Sequence, residues 1–204
     1  MLESERLKLK AAAGAGDYMS IAINADSTPF GGCSIPWERT VSAYNMKLPR
    51  LTIAATDIQD KEVMDDLKRC RLVGLYCFTP LDDYEFIAEF PMLRDLSIWH
   101  GNNIRSLSFT RNLSELNMIF IENACLDNLQ PLIDNFNEKR EQAFMSRAIC
   151  MGFYHCSVMD TSALQDAGFI TSELLVWPVE GDTRERWRMR GYPRPGTFRF
   201  YEQK

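Results

Sequence analysis

The spacing Leu-x-x-Leu-x-[Leu/Ile/Cys/Met] returns four times in the middle of the chain and limits its fold more than any other feature. The copies begin at Leu48, Leu72, Leu93 and Leu113, so their starts are 24, 21 and 20 residues apart. On a strand, the fourth and sixth positions of each copy point to the same face. Because one short strand cannot bury that face alone, the pattern predicts units that stack into a parallel sheet.

The segments between the copies read as return paths that lead from one strand to the next. Asp82–Phe90 has apolar residues at helical spacing and acidic residues at its beginning, and Asp60–Leu67 has Val63, Met64 and Leu67 at helical spacing. Asn103–Phe109 is too short for a long helix and indicates an extended or 3₁₀ connection. An ordinary α/β domain whose strands fall about 20 residues apart by chance is the alternative interpretation.

The stretch LRDLSIWHGNNIRSLSFTRNLSELNM, residues 93–118, carries a resemblance to a known family. With Asn102 or Asn103 at the position of a ladder asparagine, it resembles the leucine-rich repeat family, specifically its short and irregular bacterial repeats. The resemblance covers about residues 48–136, and two of the four copies lack the asparagine. It implies an α/β fold: a right-handed solenoid with a curved parallel sheet and irregular terminal caps.

The 204 residues are enough for one domain, which we divide into three parts. We expect an N-terminal cap segment over 1–47, a solenoid over 48–178 and a basic capping hairpin over 179–204. Further strands are predicted at Tyr18–Ile23, Ala148–Tyr154 and Glu173–Trp177. The segment Ala13-Gly-Ala-Gly16 lacks the full phosphate-binding spacing and reads as a flexible link.

The concave side of the expected sheet is the first candidate site. Strand alternation places the residues between and after the repeat positions there. The candidate partner-binding residues are Tyr76, Phe78, Ser97, Trp99, Asn117 and Ile119. Exposed aromatic rows of this kind mark protein interfaces. The alternatives are that a terminal segment covers this face, or that the register is shifted by one residue.

The C-terminal tail is the second candidate site, for an anion or an acidic partner. Its four candidate residues are Arg184, Arg186, Arg188 and Arg190, which alternate with Glu185, Trp187 and Met189. Residues 181–204 hold seven basic and three acidic side chains, although the whole chain carries a net charge of −5. The alternative is a capping hairpin whose arginines pair with the acidic body, and opposite charges in the two parts also make self-association an expectation.

No catalytic, metal or cofactor motif stands out. The chain has only two histidines and no Gly-x-Ser-x-Gly, His-Glu-x-x-His or Walker sequence. Its six cysteines are spread through apolar runs, which is typical of buried free thiols. The net negative charge argues against nucleic acid as a partner, and no apolar run is long enough for a membrane span. The beginning, MLESERLKLK, lacks the apolar core of a signal peptide, so we expect a cytoplasmic protein.

These features favour a small bacterial-type protein that binds a protein partner of unknown identity and catalyses nothing, as an adaptor or immunity protein would. The alternative is an α/β enzyme or ligand-binding domain for an anionic substrate, which the arginine tail would hold. A third hypothesis is a structural role in a homo-oligomer.

Overall fold

The computed structural model describes residues 1–25, 48–135, 149–154, 156–160, 171–176, 187–189 and 200–202. The strands are β1 Tyr18–Asn24, β2 Arg50–Ala54, β3 Arg71–Cys77, β4 Asp95–Ile98, β5 Met118–Glu122, β6 Cys125–Asn128, β7 Ile149–Tyr154, β8 Ser157–Asp160, β9 Thr171–Val176, β10 Trp187–Met189 and β11 Phe200–Glu202. The helices are α1 Glu3–Ala15 and α2 Lys61–Arg69, with 3₁₀ turns at Ala55–Gln59, Glu85–Glu89 and Ser108–Thr110. Residues 130–135 are also helical.

The strands form a mostly parallel sheet, which confirms the predicted α/β class. Nine of them lie in the order β11-β10-β9-β7-β5-β4-β3-β1-β2, and every neighbouring pair from β9 to β2 is parallel. β10 is antiparallel to both β9 and β11. β6 and β8 pair in parallel as a second, two-stranded sheet. The strands β3 and β4 are buried along nearly their whole length, as is usual for parallel sheets.

The predicted strand at Tyr18–Ile23 is confirmed as β1, which lies inside the sheet between β2 and β3. The first repeat copy forms β2, which stands last in the strand order. The chain therefore passes over β1 when it runs from β2 to β3. Gly16 ends α1 in the left-handed region, with φ 64°, so the predicted flexible link at Ala13–Gly16 is wrong: it is the end of a helix.

The register of the strands shifts the fourth repeat copy by three residues. Leu75 pairs with Leu96, and Leu96 pairs with Ile119. The repeating unit is therefore Leu116-x-x-Ile119-x-Ile121, and not the copy that begins at Leu113. Leucines at both 113 and 116 satisfy the same spacing, and both are buried. Leu113 follows the 3₁₀ turn, where its N–H donates to the carbonyl of Thr110 at 3.1 Å, so it belongs to the return segment.

The segments that join the parallel strands are only partly helical. The predicted helix after Asp60 is confirmed as α2, and Asp60 Oδ1 accepts from the N–H of Glu62 at 2.8 Å and of Val63 at 3.4 Å. The predicted helix at Asp82–Phe90 is wrong, because only a 3₁₀ turn forms there. Tyr84 fixes the segment just before this turn, because its hydroxyl accepts a hydrogen bond from the N–H of Leu81 at 3.2 Å.

The main core lies between one face of the sheet and the return segments. We call this the first face; it contains Met19, Ile21 and Ile23 of β1 and the repeat positions of β2 to β5. Leu9 of α1 and Leu67 of α2 pack into the same cluster. The opposite side, the second face, contains the residues that alternate with these.

The C-terminal hairpin is present at the level of the backbone. Arg188 of β10 pairs with Leu175 of β9 and with Tyr201 of β11. Arg184, Arg186 and Arg190 lie outside the described residues. Within the described ranges, no helix has the length and apolar character needed to cross a membrane.

Candidate functional site

Three aromatic side chains, two of them just after β3 and β4 and one within β5, meet on the second face. Phe78, Trp99 and Phe120 form what we call the aromatic cluster. The rings of Phe78 and Trp99 stack, with centroids 6.3 Å apart and an interplanar angle of 16°. Trp99 and Phe120 are tilted by 43°, with centroids 4.7 Å apart. The N–H of Trp99 donates to the carbonyl of Cys77 at 3.0 Å, so the parallel pairing continues past β4 and holds the indole beside Phe78.

Two polar atoms beside the aromatic rings lack a hydrogen bond. The indole Nε1 of Trp99 and the hydroxyl of Ser97 are buried without a partner in the described part of the chain. Ser97 pairs with Tyr76 on one side and with Phe120 on the other. A buried donor without an acceptor costs about 1–3 kcal/mol, and such atoms are rare in native proteins. The indole N–H of Trp99 can only donate a hydrogen bond, whereas the hydroxyl of Ser97 can donate or accept one.

A compact polar group lies on the same face, one row from the aromatic cluster. The hydroxyl of Tyr76 donates to Oδ2 of Asp95 at 3.4 Å. The Tyr76 ring leans over Gly74, where a Cβ would come 2.9 Å from Tyr76 Cε2 and 2.5 Å from Ser20 Oγ. Ser20 is fully buried, and its hydroxyl has no hydrogen-bond partner in the described residues. Because Gly74 has no side chain, the side chains of Ser20, Tyr76 and Asp95 lie close together around it.

The structure separates the six predicted partner-binding residues. Tyr76, Phe78, Ser97 and Trp99 lie together on the second face. Ile119 is wrong as an outward residue: it is fully buried in the core on the first face, because the register is that of the Leu116 unit. Asn117 precedes β5 and is half-buried, and its N–H donates to the carbonyl of Arg94 at 2.8 Å.

Phe120 was missed for the same reason that Ile119 was misplaced. The run Met118-Ile-Phe-Ile121 alternates with a period of two, and a register with both isoleucines inward would have found Phe120.

The expected exposure of the second face is also wrong. Tyr76 and Ser97 are fully buried and Trp99 is 5% exposed, whereas Phe78 and Phe120 are half-buried. The sequence contains a signal for this: the run LVGLYC at 72–77 is nearly continuous in apolar residues instead of alternating. Such runs are typical of parallel strands that are covered on both faces. Among the described residues of this face, Phe78 and Phe120 are partly exposed, and so are Thr52, Met118 and Glu122.

The described histidine and thiols lack the surroundings of catalytic groups. His100 is exposed, and its carbonyl accepts from the hydroxyl of Tyr84 at 2.9 Å. Burial raises the pKa of the Cys77 thiol, and it raises the pKa of Cys156 to about 12. In the described ranges, no three His, Cys, Asp or Glu side chains are grouped so that they could hold a metal ion. His155 lies outside the described residues.

The described part of this site thus combines two half-buried rings, Phe78 and Phe120, with a buried indole N–H that lies between them. Comparison with known proteins adds no assignment to this geometry. No family model, no curated protein and no solved structure matches this chain.

Proposed function

We propose that the parallel strands and their return segments are the turns of a leucine-rich-repeat-like solenoid. Support comes from side-chain amides that bridge successive turns. Asn103 donates to the carbonyl of Leu81 at 3.2 Å, and Asn123, one turn later, donates to the carbonyl of Trp99 at 3.4 Å. Both bonds join an asparagine after one strand to the segment after the preceding strand, which is the role of a ladder asparagine.

Backbone bonds between the return segments support the same arrangement. The N–H of Gly101 donates to the carbonyl of Glu122 at 2.8 Å, and that of Asp127 donates to the carbonyl of Arg105 at 2.9 Å. The segment after β4 is therefore hydrogen-bonded both to the end of β5 and to the segment that follows β5. Stacked turns of this kind gain stability mainly from their neighbours.

We infer that the protein is a cytoplasmic, non-catalytic binding module that holds a protein partner against the second face. The observation that carries this proposal is the buried Trp99 indole N–H, which lies without an acceptor in the described residues, between two aromatic rings. A partner whose apolar side chain displaces the half-buried ring of Phe78 or Phe120 can present a carbonyl to the indole N–H of Trp99, which those rings flank. Aromatic anchors with a polar handle are the residues that most often dominate protein interfaces.

The experiment uses three variants of the purified chain. Phe78→Ala with Phe120→Ala removes the two half-buried rings, and Trp99→Phe keeps an aromatic ring but removes the indole N–H. Met159→Ala is the matched control, because Met159 is 77% exposed on β8, outside the nine-stranded sheet. Proteins captured by the wild type from the native lysate are identified and purified, and their affinity for each variant is measured by calorimetry.

We expect one partner whose affinity falls by about tenfold or more with Trp99→Phe, and further with the double variant. Met159→Ala should bind as the wild type does. Circular dichroism establishes that each variant is folded. A folded double variant with wild-type affinity for every captured protein would remove the second face from consideration.

A further inference from the structure

The edge of β2 has a feature that lies beyond the proposed binding function. β2 stands last in the strand order of the nine-stranded sheet, beside β1. The N–H of Ser20 on β1 donates to the carbonyl of Pro49 at 3.0 Å, so Pro49, Leu51 and Ile53 direct their backbone groups toward β1. The N–H groups of Thr52 and Ala54 consequently point away from β1. An edge of this kind can pair with a strand from another molecule.

Both of these outward N–H groups donate to a carboxylate instead of to a strand. Thr52 N–H donates to Oε2 of Glu5 at 3.4 Å, and Ala54 N–H donates to Oδ2 of Asp57 at 2.7 Å. Glu5 comes from α1, 47 residues away in sequence from Thr52. A local turn explains why Asp57 reaches back to Ala54, but it does not explain the contact from Glu5.

Each carboxylate is held in place by a cation on its other oxygen. Lys8 Nζ donates to Oε1 of Glu5 at 2.7 Å, and the α-ammonium group of Met1 donates to Oδ1 of Asp57 at 2.6 Å. The second oxygen of each group is thereby directed at the strand edge. Charge-assisted hydrogen bonds to backbone N–H groups are stronger than neutral ones, so an incoming strand would have to displace two of them.

The strand that they protect is well suited to self-association. β2 has the sequence RLTIA, in which Leu51, Ile53 and Ala54 are buried and Thr52 is half-buried. Short, β-branched strands without charge at their centre are prone to pair with copies of themselves. Carboxylates placed along the edge are a known kind of protection against such pairing.

We propose that Glu5 and Asp57 close the β2 edge of the sheet, and that without them β2 pairs with β2 of a second copy of this chain. The two copies would meet across a two-fold axis, so that each Thr52 and Ala54 N–H gains a backbone acceptor from the partner.

The test compares the sedimentation of Glu5→Ala/Asp57→Ala with that of the wild type and of Glu5→Gln/Asp57→Asn, which keeps an oxygen acceptor at each position. Lys8→Ala is a further control, since it removes the cation but leaves the carboxylate on Thr52. We expect the alanine pair to double its mass relative to the wild type as concentration rises. The amide pair and Lys8→Ala should sediment as the wild type does.

Hydrogen exchange shows whether the new contact uses this edge. In the dilute alanine pair, the Thr52 and Ala54 amides should exchange about tenfold faster than in the wild type, whereas Leu51 and Ile53 stay protected by β1. At high concentration, protection of Thr52 and Ala54 should return. If the alanine pair does not fold, Glu5→Ala alone, which leaves the turn at Asp57 intact, is measured in the same way. A folded variant that keeps the wild-type mass at all concentrations overturns the proposal, and so does a dimer in which Thr52 and Ala54 stay unprotected.

Discussion

Gly74 of β3 and Ser20 of β1 lie side by side on the second face, and a Cβ at Gly74 would come 2.5 Å from the hydroxyl oxygen of Ser20. The same Cβ would be 2.9 Å from the hydroxyl of Tyr76. A side chain at position 74 would therefore push the Tyr76 ring away from the backbone of Gly74 and push β1 away from β3. The need for glycine here comes from close approach and not from backbone conformation.

Gly74→Ala should lower the free energy of unfolding by about 1–3 kcal/mol, because the added methyl group forces its neighbours to shift. Ser20→Ala removes the nearest clashing atom, and that hydroxyl has no hydrogen-bond partner in the described residues. The double variant should therefore lose less stability than the two single variants together. Urea unfolding of the four proteins measures the coupling, and strictly additive losses would show that the two positions are independent.

The corrected register makes opposite predictions for two residues that the sequence pattern grouped together. Ile119→Ala should lower the free energy of unfolding by about 2–5 kcal/mol, because Ile119 is fully buried in the main core. Asn117→Ala should change it by less than about 1 kcal/mol, because Asn117 is half-buried and contributes its backbone N–H to the fold. Thermal and urea unfolding check both values. Similar losses at the two positions would contradict the register.

Asp60 should make stability depend on pH at the acid end. The guanidinium of Arg6, 3.2 Å from Oδ2, and the two N–H groups at the start of α2 lower the pKa of this carboxyl. A carboxyl whose pKa is lower in the folded chain stabilises it above the unfolded pKa of about 3.9, and the effect is lost as the pH falls through the folded value.

Asp60→Asn should therefore be less stable than the wild type at pH 7, and the two should converge as the pH falls below about 4. The amide of the variant keeps an acceptor for the helix N-terminus, so the difference isolates the charge. Urea midpoints between pH 7 and pH 3 give the comparison. When Arg6→Gln is also present, the loss of stability caused by Asp60→Asn should shrink, and a loss that stays constant with pH would refute the assignment.

The buried thiols should resist alkylation until the protein unfolds. Cys77 is fully buried, and Cys156 accepts from the N–H of Ala124 at 3.3 Å, with its pKa raised by burial to about 12. The reactive thiolate is therefore scarce near pH 8. Iodoacetamide labelling read by peptide mass spectrometry should modify the half-buried Cys125 before Cys77 and Cys156. Addition of urea should make all three react, and rapid native labelling of Cys77 would mean that the sheet opens.

Much of the local structure was already determined by the sequence. The spacing of leucines at 72–77 and 93–98 predicted β3 and β4 with the correct residues on the first face, and the helical spacing of apolar residues at 63–67 predicted α2. These features depend on periodicity, which neighbouring residues encode by themselves. The alternation of the tail likewise predicted the antiparallel pair β10 and β11.

Only the tertiary structure decided which residues from distant parts of the chain meet. Leu113 and Leu116 satisfy the same local pattern, so the sequence does not distinguish them. The repeat unit begins at Leu116 because strand pairing with β4 buries Ile119 and Ile121. The tertiary structure also placed β1 between β2 and β3, and it brought Glu5 to the edge at Thr52. Strand order, burial of a second face and contacts across 47 residues arise from long-range packing, which a period of two or of 3.6 residues does not encode.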